Sequence, residues 1–259
     1  MPRAIWTGAI TFGLVHVPVR LVTAVQDTGP DFHMIDPETG SRISYRTFNE
    51  AGDEVERRDL IKGHEVESGE IVTVDPEELD ALAPEKTEDI EIDDFVDLAE
   101  IDPIYYDKPY YLMPDGKAMK PYKLLLTAME KSGKVGIARF VMRQREYLTA
   151  IRPLHGMLCM VTMRFADEIR PTEELGLDLE DVAVADAELD IAIQLIEAMT
   201  DEFHAEDFTN EYEERVRELL IAKAEGEEFV APERGEQEVE TVDLVDALKK
   251  SLERTKSED

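Results

Sequence analysis

The sequence predicts a mainly β fold with α, a barrel or sandwich of many short strands with one or two internal helices and a helical C-terminal region. Three observations carry this. Short stretches of period-two alternation, separated by turn residues, recur from the N-terminus to about residue 165. A single stretch of helical spacing, residues 120–131, interrupts them. From Glu188 the apolar spacing changes to that of helices. With 259 residues and 43% hydrophobic content, the chain has material for one large core, or a core domain with a smaller appendage.

In order, residues 3–22 open as β structure, with Trp6, Gly8, Ile10, Phe12 and Leu14 alternating on one face and a bend expected near Gly13 and Pro18. Residues 27–40 are rich in turn residues. Residues 42–48 alternate again, placing Arg42, Ser44, Arg46 and Phe48 on one face, and a turn then leads to Arg57, Arg58 and Lys62. Residues 71–74 form a short strand. Asp75-Pro76 with Glu77 and Glu78 marks a helix start, because proline at the first position and acids in the first turn suit the positive end of the helix dipole. Residues 90–96 read as a strand and the aromatic run 103–112 as a bent edge strand. Residues 120–131 form a helix with a Leu124/Leu125/Ala128/Met129 face, stopped by Gly133. Residues 135–142 are a strand, Gln144-Arg145-Glu146 its hairpin tip, and residues 147–152 and 157–165 further strands. The helical stripes Leu189/Ala192/Ile193/Ile196/Met199 and Tyr212/Val216/Leu219/Leu220/Lys223 have no obvious partner within the chain, and residues 229–240 read as a polar linker. Residues 242–252 form a short amphipathic helix, whose Val242, Leu244, Val245 and Leu248, next to Lys249, suit docking onto another protein.

The charge is segregated. Against a net charge of −32, residues 134–152 hold five bases (Lys134, Arg139, Arg143, Arg145, Arg152) and one acid. Residues 70–107 carry 15 acids and one base, and residues 171–259 carry 29 acids and 8 bases. Arg139, Val141 and Arg143 share a face of an unbroken strand, and guanidinium forks on such a face fit phosphate oxygens. The alternative is that these arginines merely offset neighbouring acids. The single Cys159 cannot form an internal disulfide and is expected as a buried hydrophobe. No apolar run approaches the ~20 residues of a membrane span, and the start lacks a signal-peptide core, so a cytoplasmic, nucleoid-associated location is expected, with no membrane partner.

Several long stretches together are specific: RAIWTGAITFGLVHVPVRL (residues 3–21), IDPIYYDKPYYL (101–112), SGKVGIARFVMRQREYL (132–148), FADEIR (165–170) and VDLVDALKKSLE (242–253). Through them the sequence resembles the prokaryotic Ku family, the DNA-end-binding component of bacterial nonhomologous end joining. The resemblance implies a Ku-type β-barrel with an extended β bridge, and a homodimer whose two barrels and bridges form a ring around double-stranded DNA ends. A helical C-terminal arm would embrace the other subunit. It also implies a core at residues 1–180 with the bridge at about 38–65, the arm at 181–228, and a linker with a ligase-recruiting helix at 229–259. By position, the resemblance assigns phosphate contacts to Arg42, Arg46, Arg57, Arg58 and Lys62 from the bridge, and to Lys134, Arg139, Arg143 and Arg145 from the barrel. The final helix would recruit an ATP-dependent multifunctional DNA ligase of the ligase D type. Two departures stand out: the cysteines of a zinc-ribbon-like pattern that many relatives carry are missing from residues 33–55, and so is their long lysine-rich tail.

No enzyme, metal or cofactor is expected. The five histidines form no HxxxH or HExxH pair, and Asp93, Asp94 and Asp97, which as a set suit Mg²⁺, read more simply as a solvated acidic face. A third reading, an acidic interaction module without DNA affinity, rests on the net charge alone.

Overall fold

The computed structural model describes residues 3–82, 88–116, 118–180, 182–229, 247–249, 251 and 253. The chain divides into two compact units, one of residues 1–27 and 33–171, the other of 28–32 and 172–259.

The first unit is built on a closed barrel. β1 (Trp6–Phe12) and β2 (Val15–Thr23) form a hairpin through the turn Gly13-Leu14, where Gly13 takes φ 56°, a left-handed value that glycine adopts freely. Gly8 is required for a different reason, since a Cβ there would run into the Glu88 carbonyl and the Trp6 indole. After β2 come β3 (Lys62–Glu65), β4 (Ile71–Val74) and α1 (Pro76–Leu82), which starts at the expected proline with Glu78 accepting a hydrogen bond from the Asp75 N–H. The remaining elements are β5 (Asp89–Asp97), β6 (Tyr106–Pro114), α2 (Met119–Ser132), β7 (Lys134–Met142), β8 (Arg145–Leu154) and β9 (Met157–Met163). The barrel order is β1-β2-β6-β9-β8-β7-β5, closed by a parallel pairing of β1 with β5 at Ile10 and Ile90. Closure removes free sheet edges, which a mostly antiparallel sheet of this length otherwise exposes.

Alternation sends Ile10, Leu21, Ile90, Leu112, Phe140, Ile151, Leu158 and Met160 inward, all fully buried. α2 adds Tyr122, Leu125, Leu126 and Met129 to the same core. This corrects the face expected for that helix: Leu124 is 65% exposed and Ala128 is exposed, because the buried stripe is rotated about one residue toward Tyr122 and Leu126. The Tyr122 hydroxyl donates to the Leu112 carbonyl (2.7 Å) and accepts from the Leu158 N–H (2.8 Å), so it joins two residues that face each other across β6 and β9. Gly133, at φ 67°, ends α2 as expected.

Three further expectations change. Residues 103–112 are not an edge strand: Pro103–Tyr105 is a 3-10 turn, and β6 is paired on both sides, with β2 and β9. Residues 42–48 do not form a strand; their backbone pairs through two isolated bridges, Ile35 with Arg42 and Phe48 with Glu54. The hairpin tip after β7 is Arg143-Gln144, not residues 144–146, and β8 begins at Arg145 opposite Met142. Cys159 is buried, as expected of a small hydrophobe.

In the second unit, α3 (Asp186–Ala198) and α4 (Glu211–Glu225) appear where the stripes place them, and Gly226 at φ 76° ends α4. Neither helix buries a residue: Leu189, Ile193, Ile196, Met199, Tyr212 and Ile221 stay between 43% and 70% exposed. Within this unit Arg217 donates to the Thr28 carbonyl (2.8 Å). Of the C-terminal helix expected at residues 242–252, Leu248 and Lys249 are helical, while Val242, Leu244 and Val245 lie outside the described residues.

Candidate nucleic-acid interface

The candidate site has two parts, the β7–β8 hairpin and the segment between β2 and β4. In β7, Ala138, Phe140 and Met142 point inward, so Arg139 faces outward. Arg143 continues that direction only into the turn, where Arg143 and Gln144 take φ 53° and 64°. Two consecutive left-handed residues make the two-residue turn that matches strand twist, but glycine or asparagine is the usual occupant. An arginine there stores roughly 1 kcal/mol of backbone strain. The tip is also pinned, because the Gln144 side-chain amide donates to Asp80 of α1 at 2.7 Å. Beneath it an aromatic cluster, Trp6 edge-on to Phe140 and Phe140 tilted against Tyr147 with ring centroids 5.8 and 5.5 Å apart, packs the base of the hairpin. The result is a rigid, strained projection that presents Arg143 and Arg145 to solvent.

The other two barrel bases are engaged. A bulge in β5 between Ile92 and Asp94 leaves Asp93 out of register, and its carboxylate takes Arg139 in a two-point contact (Nε 3.0 Å, Nη 3.3 Å). Lys134 donates to Asp97 at 2.8 Å. These hydrogen bonds are the main reason both side chains hold their protons more tightly than usual. Two of the three acids considered for Mg²⁺ are thus ion-paired, and among the described residues no cluster of three or more metal-ligating side chains occurs. Lys134 begins the nine-residue β7 and the tip follows its end, so the two ends lie roughly 26 Å apart at the usual rise per residue.

The segment from residue 33 to 75 buries nothing. A two-stranded ribbon of β3 and β4, a 3-10 turn at Arg57–Asp59 and the two isolated bridges give it its form. Tyr45, Phe48, Ile61 and Ile71 are 84%, 58%, 56% and 66% exposed. Arg46 is held by Glu54 (3.0 Å) and Arg58 by Glu56 (2.8 Å). Among the described residues Arg42, Arg57, Lys62, Arg143 and Arg145 have no ion-pair partner. Since Glu54 competes for Arg46, Glu54→Gln should raise affinity for duplex DNA by roughly two- to fivefold, the scale of one exposed ion pair, in a fluorescence titration. An unchanged or weaker affinity would show that Arg46 does not meet phosphate.

Sequence reading placed Gln144 at the hairpin tip but missed its contact with Asp80, and it did not foresee Asp93 as the partner of Arg139. A bulge and a contact between distant elements leave no local pattern to find.

A closed barrel with an arginine-bearing tip and a coreless segment that exposes apolar side chains and five bases among eleven acids is the build of a binding module. The comparisons place it more closely. Residues 11–191 match the model of the Ku70/Ku80 beta-barrel domain. The chain is 44% identical to the non-homologous end joining protein Ku 1 of Saccharopolyspora erythraea, over 99% of this chain and 80% of that one. It is 45% identical to the Ku protein of an Anaeromyxobacter species (97% and 86%) and 38% identical to that of Heliobacterium modesticaldum (99% and 93%). The chain belongs to the Ku family. Neither the family description nor these names denotes a catalyst.

Proposed function

We propose that this protein is a homodimeric ring that binds double-stranded DNA ends without sequence specificity in nonhomologous end joining. One observation carries the reading furthest: residues 33–75 have no core of their own, yet expose Tyr45, Phe48, Ile61 and Ile71 together with five bases, three of them without an ion-pair partner among the described residues although eleven acids lie in the same segment. A ribbon of that kind is marginal in water and needs surfaces supplied from outside. A second copy would cover its apolar side chains, and duplex phosphates would meet its bases. The names of the relatives, which describe end joining, support the same role. The exposed stripes of α3 and α4 fit an arm, within residues 181–228, that wraps a second subunit.

Arg42, Arg57, Lys62, Arg143 and Arg145 would make the first phosphate contacts, with Arg46, Arg58 and Arg139 joining by exchanging their carboxylates. Lys134, at the far end of β7, would contribute least. Contacts of this kind position a duplex and carry no sequence information. End preference comes from topology, because a closed ring admits a helix only at a break. Residues 229–259, with Leu248 and Lys249 in the terminal helix, would recruit a ligase D-type DNA ligase in the cytoplasm, at the nucleoid. Among the described residues no helix is long and apolar enough to cross a membrane.

The test is a gel shift of the purified protein on linear and covalently closed plasmid across a KCl series. Binding confined to linear DNA, retained after the ends are sealed, is the expected result. Equal binding to both forms would leave a general DNA binder and remove the ring. Binding to neither would favour the acidic interaction module.

A further inference from the structure

α2 and the β1–β2 hairpin frame a groove of about 530 Å³ that shares only Lys134 with the candidate DNA contacts. Phe12, Val15, Phe95, Leu124, Leu125 and Ala128 line it. Leu124 is 65% and Phe95 44% exposed, and Leu14, in the turn joining Phe12 to Val15, is wholly exposed. Contiguous apolar surface of this kind on adjoining elements marks a contact site more often than a solvated face.

The groove is edged by positive charge. Lys120 and Lys131 lie four residues before and seven after Leu124, on the same side of α2, and Lys134 lines the groove itself. Lys120 and Lys131 have no ion-pair partner among the described residues, and the carboxylate of Asp97 is taken up by Lys134. In a chain of net charge −32, an apolar trough bordered by unpaired lysines selects its occupant by charge.

We propose that this groove docks an acidic amphipathic helix of a partner protein. Apolar residues at i, i+3, i+4 and i+7 of that helix would fill the trough, and its carboxylates would meet Lys120 and Lys131. DNA would satisfy the lysines but has no apolar stripe for Phe12, Phe95 and Leu124.

The probe is a fluorescein-labelled 16-residue peptide with leucines at that spacing and glutamate at its polar positions, together with its twin carrying lysine instead. Anisotropy with the full chain should show the glutamate peptide binding at least tenfold more tightly than its twin, although the net charge of the protein favours the reverse. Leu124→Glu and the pair Lys120→Glu/Lys131→Glu should each weaken it at least tenfold. Binding to linear DNA should not change, so the outcome is separate from the end-binding reading. Because these side chains are exposed, the urea midpoint should stay unaltered. Equal affinity of the twins, or indifference to Leu124→Glu, overturns the proposal. Displacement of the peptide by duplex DNA would make the surface a phosphate contact, and a change of oligomeric state in Leu124→Glu would make it an interface between copies. Either result also overturns it.

Discussion

Replacing Arg143 and Arg145 together by glutamate should lower affinity for linear duplex DNA roughly a hundredfold near physiological salt. Each charge-assisted contact is worth about 1.5–3 kcal/mol, and a tenfold change in affinity corresponds to about 1.4 kcal/mol. Both side chains stand on the pinned β7–β8 tip with no ion-pair partner among the described residues, so no internal rearrangement buffers their loss. The slope of log affinity against log salt should shrink by about 0.9 for each phosphate contact removed. If these contacts go to phosphate alone, as proposed, the loss should be the same for every sequence. A loss confined to particular sequences, or an unchanged slope, would remove these arginines from the interface. A companion variant separates binding from folding. Arg143→Gly relieves the strain at φ 53° and should hold stability or raise it by up to about 1 kcal/mol, while still weakening DNA binding. If stability and binding fall together, the arginine serves the fold instead.

The largest effect on stability is expected from a single oxygen. Tyr122→Phe keeps the ring in the core but removes the hydroxyl that donates to the Leu112 carbonyl and accepts from the Leu158 N–H. Both partners belong to buried residues, so two backbone groups lose their partner with no water to replace it. Stability should fall by about 2–4 kcal/mol, read as a lower urea midpoint at constant slope. Because α2 is tied to β6 and β9 through this hydroxyl, the amides of β6 and β9 near it should lose hydrogen-exchange protection before those of β1. A change below about 0.5 kcal/mol would mean that the strands re-pair directly across the gap.

The acidic exterior bears on the same argument. Four of the nine candidate contacts, Arg46, Arg58, Lys134 and Arg139, are already engaged by carboxylates. On the proposed reading, DNA would displace those carboxylates, which cost little individually because they are exposed. Such a surface would bind phosphate weakly where only one or two contacts form, and well where ribbon and hairpin act together.

What the sequence alone determined was whatever depends on local period and local chemistry. Alternation located β1, β2, β5, β7, β8 and β9 in the barrel, because a half-buried strand must alternate. Proline and glycine fixed the start of α1 and the end of α2, and helical spacing located α3 and α4. Charge segregation set the β7–β8 hairpin apart from the acidic remainder, and long shared stretches identified the family. Tertiary structure decided everything that depends on which distant residue arrives opposite. It placed β6 inside the barrel, because edge or centre is a property of neighbours and not of a strand's own residues. Packing against the barrel core turned α2 toward Tyr122 and Leu126, which local spacing could not choose over Leu124 and Ala128. The register of β7 and β8 moved the tip to Arg143-Gln144, because pairing across the hairpin outweighed the local cost of two left-handed residues. The bulge in β5 brought Asp93 to Arg139, so which arginines remain unpaired for phosphate was settled by residues 46 positions away in the chain.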